Sequence, residues 1–204
     1  MSRTPIRSAL VPLALMGLTT LAACGKPAEV ALSDKDLIDR GRYMVEAGAC
    51  HDCHSPKVMT ATGPMPDPAR LLSGHPAAEP VPADLPAGTL SPSQWTAATN
   101  AGLTAWTGPW GVSFTANLTP SASGLKGWTT DMFIATIRNG KHAGTGRPLL
   151  PPMPWQNYST LKDEDLRAIF AYLQSLPPID NAVPAPLPPR TALGERTAGD
   201  LGAL

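Results

Sequence analysis

The pentapeptide CHDCH at residues 50–54 is the feature of this sequence that most constrains its fold. Two cysteines three positions apart lie about one helical turn from each other, so a helix through this run places both thiols on the same side of the backbone. His54 follows the second thiol directly and brings an imidazole to the same place. The chain has only three cysteines, and the third, Cys24, lies apart near the N-terminus. We therefore expect the chain to fold around whatever Cys50, Cys53 and His54 bind.

The pattern Cys-x-x-Cys-His is that of c-type haem attachment. In that chemistry Cys50 and Cys53 add to the two vinyl groups along one edge of the porphyrin, and His54 supplies the proximal imidazole. The other ring nitrogen of the imidazole needs a hydrogen-bond acceptor, typically a backbone carbonyl, which Pro56 or Pro64 could offer. We predict one covalently bound haem c with His54 as a ligand of its iron.

Three other interpretations of residues 50–54 explain less of the sequence. A thioredoxin-like redox pair belongs to a fold of alternating strands and helices, a pattern that the sequence does not show. A zinc site needs two further Cys or His at paired spacing, whereas His75 and His142 stand alone. A chance match is the third, but chance does not also supply an export signal.

The first 24 residues predict export and lipid attachment. Arg3 and Arg7 precede an apolar run at 9–18 that is too short to span a bilayer, and the segment ends in LAACG at 21–25. This ending resembles the lipobox of bacterial lipoproteins, in which the cysteine, here Cys24, is acylated and becomes the new N-terminus. We predict a signal peptide over 1–23, a tether over 24–32, and a periplasmic protein attached to a membrane through Cys24. An ordinary secretory signal with a chance cysteine is the alternative.

The second axial ligand of the iron is expected in the run RPLLPPMPW at 147–155. Prolines on both sides of Met153 deny this segment a helix and hold it extended. Methionine is a soft, neutral ligand, and His/Met coordination raises the reduction potential of the haem. We predict Met153 as that ligand. The alternatives are that Met153 packs in the core, or that His142 or His75 binds the iron instead.

Apolar periodicity predicts three helices: one capped by Ser33 and running to about Ala49, one capped by Thr129 or Thr130 and closed at 139–140, and one over about 162–176. Proline is abundant, at 24 of 204 residues, and punctuates the stretches between them. We interpret 60–112 as a loop insertion with a small hairpin, residues 94–99 and 103–106 flanking a turn at 100–102. The insertion either covers one haem edge or is passive. Residues 181–204 are expected to form an extended or disordered Pro-rich tail.

Five short motifs add a family resemblance: CHDCH at 50–54, ANLTP at 116–120, GLKGW at 124–128, RNG at 138–140 and LPPMP at 150–154. With these the sequence resembles periplasmic single-domain monohaem cytochromes c of the His/Met type, including the haem domains that serve alcohol and aldehyde dehydrogenases. The resemblance implies an all-α cytochrome c fold over 33–180. In that fold the first and last helices cross near the haem, which would set Gly41 against Phe170 or Tyr172. The insertion is longer than the minimal fold requires.

These observations predict a one-electron carrier whose partners are other redox proteins: cytochromes, a terminal oxidase or a dehydrogenase. The first alternative is a haem subunit of a dehydrogenase complex. A haem enzyme with an open distal site, or a gas sensor, is less well supported, because no spare cysteine ligand exists and the haem motif lies early in the chain. A catalytic activity of its own is not expected. The formal net charge is zero and the sequence has no basic stripe, so we expect no nucleic-acid partner.

Overall fold

The computed structural model of the chain describes residues 32–81, 85–86, 89–91, 93 and 95–189, and all structural statements below refer to these residues. Cys24, the signal peptide, the tether up to residue 31 and the tail from residue 190 lie outside them. The described part contains five α-helices: α1 (Asp34–Ala47), α2 (Cys50–His54), α3 (Thr130–Asn139), α4 (Trp155–Tyr158) and α5 (Asp163–Ser175). A short 3-10 helix lies at His142–Gly144. It also contains five strands: β1 (Lys57–Thr60), β2 (Gly63–Pro66), β3 (Ala98–Thr99), β4 (Ala105–Gly108) and β5 (Gly111–Phe114).

Side-chain caps fix where two of the predicted helices begin. The Ser33 hydroxyl accepts the amide of Asp36 and donates to its carboxylate at 2.6 Å, a reciprocal arrangement that satisfies a free amide at the start of α1. The Thr129 hydroxyl accepts the amide of Met132 at the start of α3. This helix ends at Gly140, whose φ of 62° is the left-handed conformation that glycine adopts without strain. Both predicted caps are confirmed.

Helices α1 and α5 cross at Gly41, because a side chain there would occupy the space of the facing helix. A Cβ atom on Gly41 would overlap the backbone carbonyl of Ala168 and lie 2.8 Å from the Cβ of Tyr172. The crossing predicted at Gly41 is thus confirmed, and Tyr172 is one of the two partners that were predicted. The other residue in contact is Ala168 and not Phe170. Around this crossing lies one apolar cluster, the helical core: Val45, Leu72, Leu125, Phe133, Ile137, Leu166, Ile169, Phe170 and Leu173.

The prediction of an all-α fold is wrong, because the chain between α2 and α3 forms two antiparallel sheets. Strands β1 and β2 pair from Lys57 opposite Pro66 to Thr60 opposite Gly63. Strands β3, β4 and β5 form a second sheet in that order, which we call the insertion sheet. Its first hairpin spans the predicted turn at 100–102, but β3 is only Ala98–Thr99. The glycines and prolines of 60–112 predict a loop that carries a single small hairpin. Gly63, Pro64 and Pro66 instead lie in β2, and Gly102 and Pro109 lie in turns between strands.

The insertion sheet has an apolar cluster of its own, separate from the helical core. Ala105, Val112 and Phe114 contribute to it, and Leu187 joins them from the segment after α5. The backbones of Val112 and Leu187 exchange two hydrogen bonds of 2.9 Å each. In the described part of the expected tail, Leu187 therefore pairs with β5 and Val183 packs against the same cluster. No helix in the described ranges is both long and apolar enough to cross a lipid bilayer.

Candidate haem-binding site

Helix α2 carries Cys50, Cys53 and His54 on a single short turn of chain. It is separated from α1 by Gly48 and Ala49, and Ala49 adopts a left-handed φ of 55° that redirects the backbone. The hydroxyl of Tyr158 in α4 donates to the carbonyl of Gly48 at 2.6 Å and fixes this corner. Cys50 and Cys53 are partly buried and form no disulfide within the described residues. The two cysteines and the histidine therefore lie on one five-residue helix.

The imidazole of His54 is oriented by a residue far away in sequence. Its Nδ1 lies 2.8 Å from the backbone oxygen of Ala116, 62 residues further along the chain. A carbonyl oxygen only accepts hydrogen bonds, so Nδ1 carries the proton and Nε2 keeps its lone pair. The sequence offered Pro56 and Pro64 as acceptors, and neither of them fills this role. Donation from Nδ1 to a carbonyl is the arrangement that orients metal-binding histidines.

Asn117 holds the backbone that presents the Ala116 carbonyl. Its side chain is buried, and its Oδ1 accepts the amide of Thr119 at 2.9 Å and the Thr119 hydroxyl at 2.7 Å. Its Nδ2 donates to the carbonyl of Ile179 at 2.8 Å and to the hydroxyl of Ser121 at 3.1 Å. Sequence reasoning did not assign this role to Asn117, although the ANLTP motif marked the segment.

Lys57 is a second residue that sequence reasoning missed. Its ammonium donates to three backbone oxygens at the C-terminal end of α2: those of His51 and Asp52 at 2.9 Å each and that of Ser55 at 2.6 Å. The last carbonyls of a helix lack partners within the helix and carry partial negative charge, so a cation stabilises them. Lys57 thus closes the helix that bears both thiols and His54. No periodic or motif signal in the sequence points to this contact.

The pKa values of the two thiols differ from those of a redox-active cysteine pair. Burial raises the pKa of the Cys50 thiol to about 11 and also raises the pKa of Cys53. A redox-active Cys-x-x-Cys pair instead has a thiol whose pKa is lowered. Burial lowers the pKa of His54, against the opposing effect of the Ala116 carbonyl, so the ring is neutral and has a lone pair for a metal.

Met153 lies in the loop between α3 and α4, at the edge of the helical core. It is half-buried and packs against the same apolar cluster as Cys50. The loop is attached through the amide of Leu149, which donates to the carbonyl of Gly140 at 2.8 Å. Met153 and Cys50 thus border one apolar region, and iron ligation by Met153 stays a prediction.

The two other candidate ligands have different surroundings. His75 is fully buried, with its Nδ1 3.0 Å from the hydroxyl of Thr104 and its ring packed against Phe114 at a centroid distance of 4.8 Å. His75 therefore packs against the insertion sheet and its first turn. The ring of His142 stands edge-on to Trp128 at 5.2 Å. Within the described ranges, no three His, Cys, Asp or Glu side chains gather as a cluster that would bind a metal ion.

The donor set fits a c-type haem. One helix bears two thiols for the porphyrin edge and a neutral imidazole for the iron, and the half-buried thioether of Met153 borders the same apolar cluster as Cys50. These are soft sulfur and nitrogen donors, unlike the oxygen ligands that Mg²⁺ or Ca²⁺ would need.

Known proteins similar to this chain include cytochrome subunits of dehydrogenases. The chain is 28% identical over 164 residues to the gluconate 2-dehydrogenase cytochrome c subunit of Pantoea cypripedii, a match that covers 77% of this chain and 28% of that protein. It is 34% identical over 93 residues to the fructose dehydrogenase cytochrome subunit of Gluconobacter japonicus, covering 42% and 19%. It is 25% identical over 141 residues to the cytochrome c subunit of the quinone-type alcohol dehydrogenase of Gluconobacter oxydans, covering 69% and 21%. All three are cytochrome subunits by name.

The matched part is a small fraction of each relative, since the chain spans 28% or less of their lengths. No protein-family model matches the chain.

Proposed function

We propose that this protein is a haem c electron-transfer protein that works with a dehydrogenase, as a separate carrier or as its cytochrome subunit. Cys50 and Cys53 hold one haem by two thioether bonds, and His54 and Met153 are the axial ligands of its iron. The observation that carries the proposal is the oriented imidazole of His54 on the helix that bears both cysteines. The names of the relatives support the same chemistry.

His54 contributes a fixed lone pair. Its Nδ1 proton is donated to the Ala116 carbonyl, so the ring cannot rotate or change tautomer without losing that hydrogen bond. Lys57 keeps α2 closed at its C-terminal end, and Tyr158 fixes its beginning through Gly48. These contacts keep the attachment side chains in place during electron gain and loss. A rigid ligand set of this kind limits the reorganisation that accompanies one-electron transfer.

The haem, when bound, supplies a reversible one-electron change at iron. The ligands that the chain supplies set the reduction potential of the haem, since a thioether from Met153 favours the ferrous state. A half-buried methionine beside an apolar cluster would also limit the access of water to a bound iron. Electrons would pass at an exposed edge during brief, small encounters with the partner.

The partner we infer is a dehydrogenase, because each of the three relatives belongs to one by name. Its substrate would be oxidised elsewhere and its electrons delivered singly to this chain. The relatives belong to dehydrogenases named for gluconate, fructose and alcohol, so these names do not define one substrate for a partner of this chain.

The function is tested by a redox titration of the haem-loaded protein followed by exposure of the reduced form to carbon monoxide. A reversible one-electron wave and slow or incomplete carbon monoxide binding are expected for iron with two protein ligands. Rapid stoichiometric binding by the wild-type protein would instead indicate an open site and reject the carrier function.

We further propose that the mature protein is a periplasmic lipoprotein attached through acylated Cys24. The support is the order of charge, apolar run, small residues and cysteine in 1–25. In a host that exports the chain, Cys24→Ala should move the protein from the membrane fraction to the soluble fraction, with its haem content unchanged. Membrane partitioning equal to that of the wild type would reject the lipid anchor.

A further inference from the structure

Ser113 in β5 makes a direct hydrogen bond to the loop that carries Met153. Its hydroxyl donates to the carbonyl of Pro151 at 2.6 Å, across 38 residues of sequence, and its side chain is buried at 8% exposure. Pro151 lies two residues before Met153. The contact therefore joins the insertion sheet to the segment from which the proposed axial ligand projects.

The loop is short of other hydrogen bonds because of its composition. Pro151, Pro152 and Pro154 have no amide proton to donate. The amide of Met153 donates to the carbonyl of Leu150 at 3.3 Å, at the long end of the range for such bonds. A bond from outside the loop to the Pro151 carbonyl thus matters more here than it would in a helix or a strand.

The direction of the Ser113 hydroxyl is itself fixed. The indole Nε1 of Trp110 donates to the Ser113 oxygen at 3.3 Å, which leaves the hydroxyl proton for Pro151. The Trp110 ring in turn lies directly over Gly108, where an added Cβ would come within 2.5 Å of the ring. Trp110 and Ser113 therefore form a relay of two donors that ends on the loop.

Strand β5 is a firm base for this relay because it is bonded on both edges. It pairs with β4 from Ala105 opposite Phe114 to Gly108 opposite Gly111. On its other edge the backbones of Val112 and Leu187 exchange two hydrogen bonds. The backbone that carries Ser113 is therefore held by both pairings.

We propose that Ser113 is a positioning residue for Met153, and that holding the axial-ligand loop is a function of the insertion sheet. The inference rests on the proposed function, in which Met153 binds the haem iron. Without the hydroxyl, the Pro151 carbonyl and the Trp110 indole would each lose a partner, and the loop would leave its bound position more often. Any exogenous ligand that competes with Met153 would then gain access.

The test uses the full-length, haem-loaded protein with Ser113→Ala, and with Thr107→Ala as a matched control on the neighbouring strand β4. Two quantities are measured: the rate of carbon monoxide binding to the ferrous form, and the thermal midpoint of the Met-to-iron absorption band of the ferric form. Loss of one such bond should raise the rate about five- to tenfold and lower the midpoint. Thr107→Ala should match the wild type, and Ser113→Thr, which keeps the hydroxyl, should restore most of the wild-type behaviour.

The inference is overturned if Ser113→Ala matches the wild type in both measurements, or if Thr107→Ala shifts them equally. If Ser113→Ala folds poorly, Trp110→Phe serves as the second variant, because it removes the donor to the Ser113 hydroxyl. It should also raise the carbon monoxide binding rate and lower the thermal midpoint, by smaller amounts. An unchanged rate and midpoint in Trp110→Phe would contradict the inference. If instead the proposed function is wrong and Met153 is not the ligand, Met153→Ala will leave the Met-to-iron absorption band of the ferric protein intact. A band that Met153→Ala abolishes and Ser113→Ala leaves unchanged rejects the inference alone.

Discussion

The Nδ1 atom of His54 lies 2.8 Å from the backbone oxygen of Ala116. This one contact joins the attachment helix α2 to the segment that follows the insertion sheet. It selects the tautomer of the imidazole and its ring plane, which are the properties that an iron ligand needs. Because the acceptor is a backbone atom, the contact depends on the residues that hold the backbone of 115–117 in place.

Asn117→Ala should therefore loosen the Ala116 carbonyl. The buried Asn117 side chain accepts two hydrogen bonds from Thr119 and donates to the Ile179 carbonyl. Its removal takes away all three bonds and leaves the buried Thr119 amide without its acceptor. We expect the free energy of unfolding to fall by about 2–3 kcal/mol, measured by denaturant titration. Asn157→Ala, at an exposed asparagine of α4, is the control and should change stability little. Equal stability of Asn117→Ala and the wild type would contradict this role.

Lys57→Met should weaken α2 and lower the reduction potential of the bound haem. The variant removes three hydrogen bonds to the end of the helix, which should cost roughly 1–2 kcal/mol of stability. It also removes a positive charge beside the attachment helix, and a nearby cation favours the ferrous state over the more positive ferric state. The midpoint potential should fall, by about 59 mV if the equilibrium shifts tenfold.

The control for Lys57 is Lys35→Met, since the Lys35 side chain is 83% exposed and pairs with Asp39 on the surface of α1. Potentiometric titration of both variants separates the effect of a charge near the attachment helix on the midpoint potential from the effect of the total charge of the protein. If both lower the potential equally, Lys57 has no special role.

Met153→Ala should abolish the Met-to-iron absorption band of the ferric protein and allow rapid carbon monoxide binding by the ferrous protein. The reason is that no thioether would remain at the sixth position of the iron. Met59→Ala is the matched control, because Met59 follows the haem motif closely but is 78% exposed in β1. Loss of the band in the Met59 variant, or its survival in the Met153 variant, would show that the ligand is misassigned.

Gly41→Ala should destabilise the crossing of α1 and α5. The added methyl group would overlap the carbonyl of Ala168, and backbone atoms cannot move aside as flexible side chains do. We expect the free energy of unfolding, measured by thermal or denaturant unfolding, to fall by about 1–3 kcal/mol. Gly102→Ala provides the comparison, because a Cβ there would lie 3.4 Å from its nearest neighbour. A Gly41 variant as stable as the Gly102 variant would show that the helices do not pack closely at this point.

The helical part of the fold could be predicted from sequence because its signals are local. Ser33 and Thr129 are caps within three residues of the amides they bind, and the apolar stripe of α5 repeats at helical spacing. Of the two sheets, the sequence predicted only the hairpin around residues 100–102. Strand β3 is two residues long, and β5 is buried along its whole length, so neither shows the alternation by which strands are recognised.

In the candidate site, too, the local features could be predicted and the contacts between distant segments could not. Cys50, Cys53 and His54 are adjacent in sequence, so their meeting follows from the chain itself. The contacts of His54 with Ala116 and of Ser113 with Pro151 join residues 62 and 38 positions apart. Any residue can accept a hydrogen bond through its backbone oxygen, so the identity of Ala116 does not reveal its role. A serine in a strand likewise fits no pattern that would reveal its partner. Contacts of this kind become visible only when the fold has brought the segments together.

The central claim is most directly tested by the intact mass of the protein purified from a host that matures c-type cytochromes. The account predicts that the mass exceeds that of the processed polypeptide and its lipid by one haem, which denaturation and organic extraction do not remove. It predicts that replacing both Cys50 and Cys53 by Ser abolishes this increment. A polypeptide without covalent haem, or one whose haem survives the loss of both cysteines, would contradict the account.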